Sequence, residues 1–228
     1  MREIVLDTET TGLSYEDGHR VIELGCVELD GHVATGKVLQ IYFNPETKSV
    51  SKEAEQIHGL NNAFLKKQDI FSNRVNEFLD FIKNDTLVIH NSKFDLGFLN
   101  NELRRCKKNL LENPSIDTIE LAKKKLKTGP FNLDALCKKF NIDSSKRTYH
   151  GALLDASLLA EVYIELLGGR QTGLSFFEEN KPENKKNISS AKERKDPLPI
   201  PKPSVEEIEL HKKFIKNIKN PLWSKYTY

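Results

Sequence analysis

An α/β fold is predicted: a mixed sheet with early antiparallel strands, then alternating helix and strand, flanked by helices and followed by a flexible C-terminal tail. Three observations predict it. Three strand-like apolar runs joined by short links fall within residues 3–43. From Val75 onward, apolar residues recur at helical spacing, with short apolar runs between the periodic segments. After Gly168 the composition turns to Lys, Asn, Ser, Glu and Pro, which cannot bury a core.

The elements follow in order. Residues 3–8 read as a buried strand. Val21 to Leu29 alternates apolar and polar residues, Asp30-Gly31-His32 signals a turn, and Val38 to Phe43 reads as a third strand, completing an antiparallel meander. Val75, Phe78, Leu79 and Ile82 mark a helix, and Leu87-Val88-Ile89 a short strand. Phe94, Phe98, Leu99 and Leu103 mark the next helix, Ile116 a short strand, and Ile119 to Leu126 a further helix. Leu133, Leu136, Cys137 and Phe140 share one helical face. Ala152, Ala156, Leu159, Ala160, Tyr163 and Leu167 mark a long helix stopped by Gly168-Gly169.

Composition narrows the class. The chain has 228 residues, 30% charged and 38% hydrophobic, which suits one domain with a full core plus a tail. No apolar run nears membrane-spanning length, and Glu3 and Asp7 interrupt any signal-peptide stretch, so a cytoplasmic protein without membrane contact is expected. Cys26, Cys106 and Cys137 lack metal-ligand spacing and fit a reducing compartment. Residues 1–180 carry 23 Lys and Arg against 27 Asp and Glu, a net −4, whereas residues 181–228 carry 12 against 6, a net +6. An acidic globular part is a poor general nucleic-acid binder, because such affinity rests on neutralised phosphates. A nucleic-acid substrate must then be bound locally or brought by a partner.

The carboxylates carry the chemistry. In Ile4-Val5-Leu6-Asp7-Thr8-Glu9-Thr10-Thr11-Gly12, Asp7 and Glu9 are two residues apart on a strand and share a face. Like charges beside a buried strand repel and lose solvation, and a hard divalent cation between them relieves both. Alone, the pair also fits a strand that ends and turns polar. Asp95, in His90-Asn91-Ser92-Lys93-Phe94-Asp95, falls in the first turn of a helix, where the dipole alone favours an acid. Asp155, in His150-Gly151-Ala152-Leu153-Leu154-Asp155-Ala156, borders an apolar helical face, where a lone carboxylate is costly. His150 precedes that helix, as a cap, a surface residue or a general base. Four carboxylates from three segments suit two magnesium or manganese ions roughly 3.5–4 Å apart, with His150 as base.

These segments, in this order and spacing, resemble the DEDD family of 3′–5′ exonucleases, in the subgroup that uses histidine as base. The resemblance covers about residues 1–170 and is nearest the epsilon proofreading subunits of bacterial DNA polymerase III. It implies a ribonuclease H-like fold, metal ligation and substrate contact by Asp7, Glu9 and Asp155, metal ligation by Asp95, and deprotonation of water by His150. Ile57-His58-Gly59-Leu60 resembles a substrate-contacting segment of the family, so Glu53 and His58 are implied as contacts to the terminal nucleotide; by its neighbours alone, His58 reads as a turn residue. Leu13 resembles an apolar residue that wedges beside the 3′-terminal base, and fits core packing equally well.

Gln171-Thr172-Gly173-Leu174-Ser175-Phe176-Phe177 resembles a sliding-clamp-binding peptide, with Gln171, Leu174 and Phe176 as anchors. Residues 178–204, with alternating Pro197, Pro199, Pro201 and Pro203, read as a disordered linker. In residues 205–228, Ile208, Ile215, Ile218 and Leu222 form a helical stripe, and Trp223, Tyr226 and Tyr228 add aromatic surface. By the resemblance, this tail docks on the catalytic (alpha) subunit of the polymerase. The expected activity is removal of mispaired 3′ nucleotides from the primer strand of DNA. An RNA 3′-end-trimming exonuclease and a non-catalytic replisome bridge are the alternatives.

Overall fold

The computed structural model describes residues 1–145, 147–169 and 203–217. The chain divides into two units, Met1–Ser175 and Phe176–Tyr228. The first is built on five strands: β1 (Arg2–Thr10), β2 (Val21–Asp30), β3 (Val33–Tyr42), β4 (Thr86–Ile89) and β5 (Ser115–Asp117). Their order across the sheet is β3-β2-β1-β4-β5. The first three pair antiparallel, whereas β4 pairs parallel with both β1 and β5. This is the expected mixed sheet. Gly31 and His32 take φ of +56° and +64° between β2 and β3, a left-handed pair that matches the twist of a tight hairpin.

The helices of this unit are α1 (Lys52–His58), α2 (Asn62–Leu65), α3 (Phe71–Ile82), α4 (Ser92–Arg105), α5 (Thr118–Lys125), α6 (Leu133–Phe140) and α7 (Ala152–Leu167). Strand alternation sorts the core into two layers. Ile4, Leu6, Leu24 and Cys26 meet Val75, Phe78 and Ile82 of α3 and Phe98, Leu99 and Leu103 of α4. On the other face, Val5, Val27, Leu29 and Val88 meet Leu136 of α6 and Ala156, Leu159 and Tyr163 of α7. Burying each of these large side chains contributes about 1.5–3 kcal/mol, so the sheet is a rigid platform for what its ends carry.

Three differences from the sequence expectation have physical causes. β1 runs on to Thr10, so Asp7 and Glu9 lie inside the paired strand instead of at its polar end. β3 begins at Val33, five residues before Val38, because backbone pairing holds an edge strand whose side chains up to Val38 are exposed and so show no apolar alternation. Helices α1 and α2, unmarked by apolar spacing, are set by side-chain caps from Ser51 and Asn61, and each buries one residue, His58 and Leu65 respectively.

Among its described residues, the second unit holds one helix, α8 (Val205–Lys216), within the segment expected to be helical. Ser204 and Glu207 form a reciprocal capping box at its start, and Val205, Leu210 and Phe214 are exposed. Gln171, Leu174, Phe176, residues 178–202 of the linker, and Ile218, Leu222, Trp223, Tyr226 and Tyr228 lie outside the described residues. No helix among the described residues is long and apolar enough to cross a membrane. Cys26, Cys106 and Cys137 are free thiols.

Candidate active site

The acidic residues converge where the parallel strands β1 and β4 end. Asp7 and Glu9 point to the α7 side of β1, opposite Gly25 and Glu23 of β2. After Ile89 the backbone turns through Asn91, at φ +69°, into α4, whose first turn carries Asp95. The Thr8 hydroxyl donates to Asp95 Oδ1 at 2.7 Å, tying that turn back to β1. Asp155 comes from the first turn of α7. Gly25 lets this helix approach: a Cβ there would lie 2.3 Å from the Ala152 carbonyl carbon. Asp7, Glu9, Asp95, Asp155 and His150 line one cleft of ≈ 270 Å³, with Thr8, His90, Phe94, Asn132, Asp134 and Arg147 completing its wall.

Burial and mutual repulsion dominate the electrostatics. Burial, then the charges of Asp95, Glu9 and Asp155, pushes the Asp7 carboxyl well above its usual range. Burial, then Asp155 and Glu23, raises Glu9 to about 8. Burial raises Asp95 to about 7, against the hydrogen bond from Thr8. Buried like charges of this kind call for a cation. One ligand atom each from Glu9, His150 and Asp155 can lie within 4.8 Å of the others. A set of carboxylate oxygens fits a hard divalent ion.

Arg147 supplies positive charge on one side. Its guanidinium donates to both oxygens of Asp155, at 2.6 and 2.7 Å, and also to Asp134. It reaches His150 Nδ1 at 3.0 Å, and that nitrogen lies 3.5 Å from Asp155 Oδ2. His150 stands at the rim, half exposed, with its backbone N–H donating to the Ile57 carbonyl at 3.0 Å. The loop before α7 is thus pinned to the end of α1.

The remaining sequence-predicted residues occupy neighbouring grooves. Leu13 is 87% exposed, so it is not a core residue. Leu13 and Glu53 share a largely apolar groove of ≈ 370 Å³ with Gly12, His19, Ala54 and Ile57. His58 ends α1 and is buried; the turn begins at Gly59, at φ +73°. His58 lines a separate groove with Tyr149, its Nδ1 accepts from the Leu60 N–H at 3.0 Å, and burial together with His150 lowers its pKa to about 4. Sequence reasoning missed Arg147, His90 and Glu23. Arg147 left a faint signal, a basic residue three positions before His150 in a polar stretch. The other two depend on strand register and the β4–α4 turn, which spacing does not reveal.

The comparisons with known proteins agree with this architecture. The family model described as exonuclease matches residues 4–163. The DNA polymerase III subunit epsilon of Rickettsia felis is 42% identical over 223 residues, spanning 96% of this chain and 97% of that protein. Among solved structures, the nuclease domain of 3′hExo, a DEDDh family member bound to rAMP, superposes with a TM-score of 0.65 at 20% identity, covering 73% of this chain and 91% of that one. Exonuclease X in complex with 5′ overhanging duplex DNA gives 0.59 at 19% identity, covering 72% and 90%. At those identities the structural likeness speaks for the fold, a ribonuclease H-like sheet. The length and identity of the sequence match settle the kinship: the chain belongs to the exonuclease family and, within it, to the DNA polymerase III epsilon subunits.

Proposed function

We propose that the chain removes mispaired 3′ nucleotides from the primer strand of DNA and releases them as 5′-monophosphates, with Asp7, Glu9, Asp95 and Asp155 holding two divalent ions, Mg2+ or Mn2+. The observation that carries this reading is the convergence of four carboxylates from three segments on one cleft with His150 at its rim. When bound, the ions polarise the scissile phosphate and acidify the attacking water. His150 accepts a proton from the water as its oxygen bonds to phosphorus and the P–O3′ bond breaks; the leaving O3′ takes a proton from solvent, so the shortened strand ends in a 3′ hydroxyl. Asp7, Glu9 and Asp155 also face the terminal phosphate. Leu13 packs beside the terminal base from the adjoining groove, while Glu53 and His58 contact the terminal nucleotide from α1.

An unpaired end is cheaper to splay into such a cleft than a paired one, which gives selectivity a physical basis. The net −4 of residues 1–180 fits delivery of DNA by partners: the sliding clamp through Gln171, Leu174 and Phe176, and the alpha subunit through the basic tail. The setting is the bacterial cytoplasm. The test is metal-dependent degradation of 3′-mismatched and 3′-matched primer DNA, with an RNA strand as a third arm. Faster removal of the mismatched DNA end is expected; equal rates on both DNA ends, or a preference for RNA, overturn the proofreading reading.

A further inference from the structure

Glu23 is a further carboxylate, buried behind Glu9, and none of the roles above uses it. It is 2% exposed and pairs across the antiparallel ladder with Glu9 on one side and Tyr42 on the other, so its side chain shares their face of the sheet. That face is the one α7 covers. The Gln40 amide donates to Glu23 Oε1 at 2.8 Å. The backbone of Ala152 and Leu153, at the start of α7, lies against this stretch of β2: a Cβ on Gly25 would stand 2.3 Å from the Leu153 nitrogen. Burial raises the Glu23 pKa, against hydrogen bonding from Gln40, the Ala152 and Leu153 N–H groups and Tyr42.

The start of α7 needs such a group. Its first intrahelical bond runs from the Asp155 N–H to the Gly151 carbonyl, so the N–H groups of residues 152–154 have no partner within the helix. The N-cap residue is Gly151, which has no side chain with which to cap them. The buried Glu23 carboxylate on β2 stands where it can take the place of a local cap and meet the positive end of the helix dipole. The close approach that Gly25 permits, two residues along the same strand and on the same face, brings β2 within reach.

We propose that Glu23 is a positioning residue: it caps α7 from the sheet and so fixes Asp155 and His150 against Asp7 and Glu9. The inference rests on the exonuclease reading for its effect on rate, but not for its effect on the helix. Glu23→Gln keeps the volume but leaves one acceptor oxygen for two sets of donors, and Glu23→Ala leaves none.

The experiment measures amide hydrogen exchange and single-stranded DNA hydrolysis on the full chain. Expected for Glu23→Ala is exchange at Ala152 and Leu153 about tenfold faster, with β1 and β4 amides unchanged, and kcat reduced about a hundredfold with KM within twofold. Glu23→Gln is expected to lower kcat about tenfold with an unchanged melting temperature. Wild-type exchange at residues 152–153, exchange accelerated throughout the unit, or a raised KM at unchanged kcat overturns the proposal. If wild-type protein hydrolysed no DNA, the exonuclease reading would fail while the exchange result still decided the capping role.

Discussion

Raising the pH of the protein stripped of divalent ions should destabilise it, and adding the ions should cancel the effect. Glu9 titrates near 8 in the folded chain against 4.5 when unperturbed, and Asp95 near 7 against 3.8. Between those values the folded protein keeps protons that the unfolded chain has lost. Their stabilisation is present at low pH and disappears as pH rises through the folded values. The window must avoid opposing groups. Glu28, held down to about 2 by Arg2, loses its contribution only in acid. His58, lowered to about 4, adds stability with rising pH only up to its ordinary value of 6.5. From pH 6.5 to 8.0 the carboxylates dominate: Asp7 and Glu23, also raised by burial, act in the same direction, and His58, His19 and His90, lowered by burial, oppose them only as the last of their unfolded-state protons leave. At about 1.4 kcal/mol per pH unit, Glu9 accounts for about 1.6 kcal/mol and Asp95 brings the sum to about 2 kcal/mol. That corresponds to a melting temperature about 6 °C lower at pH 8.0 than at 6.5 for a domain of this size. The assay is thermal melting with EDTA at both pH values, repeated with excess Mg2+ and with Glu9→Gln. Flattened slopes are expected in both repeats. A melting temperature in EDTA that is constant or rises across the window would refute the electrostatic account of the cleft.

Three further outcomes are expected. His150→Ala should lower kcat for single-stranded DNA by about 10²–10⁴ while Mn2+ binding, followed calorimetrically, stays within a few-fold; undiminished turnover would remove His150 as base. Leu13→Ala should raise KM about tenfold, since truncation removes about 1.4 kcal/mol of apolar contact when the base covers the side chain only in part, and should leave the melting temperature alone because Leu13 is 87% exposed. An unaltered KM would detach Leu13 from the substrate. Substituting Gln171, Leu174 and Phe176 together by Ala should abolish binding to a sliding clamp in a surface-capture assay and spare hydrolysis of free oligonucleotides; retained clamp binding would rule out that peptide.

Legibility in the sequence followed burial. The long helices α3, α4 and α7 and the strands β1, β2 and β4 were readable because each buries an apolar face, and periodicity records burial. The start of β3 was not, since an edge strand with exposed side chains is held by backbone pairing alone. Helix α1 escaped for a similar reason: its stability comes from the Ser51 cap and from His58, a polar residue buried beside the site. The acids Asp7, Glu9, Asp95 and Asp155 were recognisable as a set: Asp7 with Glu9, and Asp95, each had an ordinary structural explanation, and only Asp155, on an apolar helical face, stood out alone. Arg147 and Glu23 show what spacing cannot carry. Arg147 matters because a loop folds its guanidinium onto Asp155, and Glu23 because register sets it beside Glu9 under the start of α7. Both are contacts between segments far apart in sequence or joined by an irregular loop, where no period exists to read.

In the proposed reaction Asp7 and its three partner carboxylates hold the ions that drive 3′-end hydrolysis. The most direct measurement is release of nucleoside 5′-monophosphates from single-stranded DNA by wild-type protein and Asp7→Ala in Mg2+. Release is expected to fall to background in Asp7→Ala, with a melting temperature in EDTA at least equal to wild type because a buried carboxyl that is costly to ionise beside Asp95, Glu9 and Asp155 is gone. Wild-type-like release by a folded Asp7→Ala would contradict it.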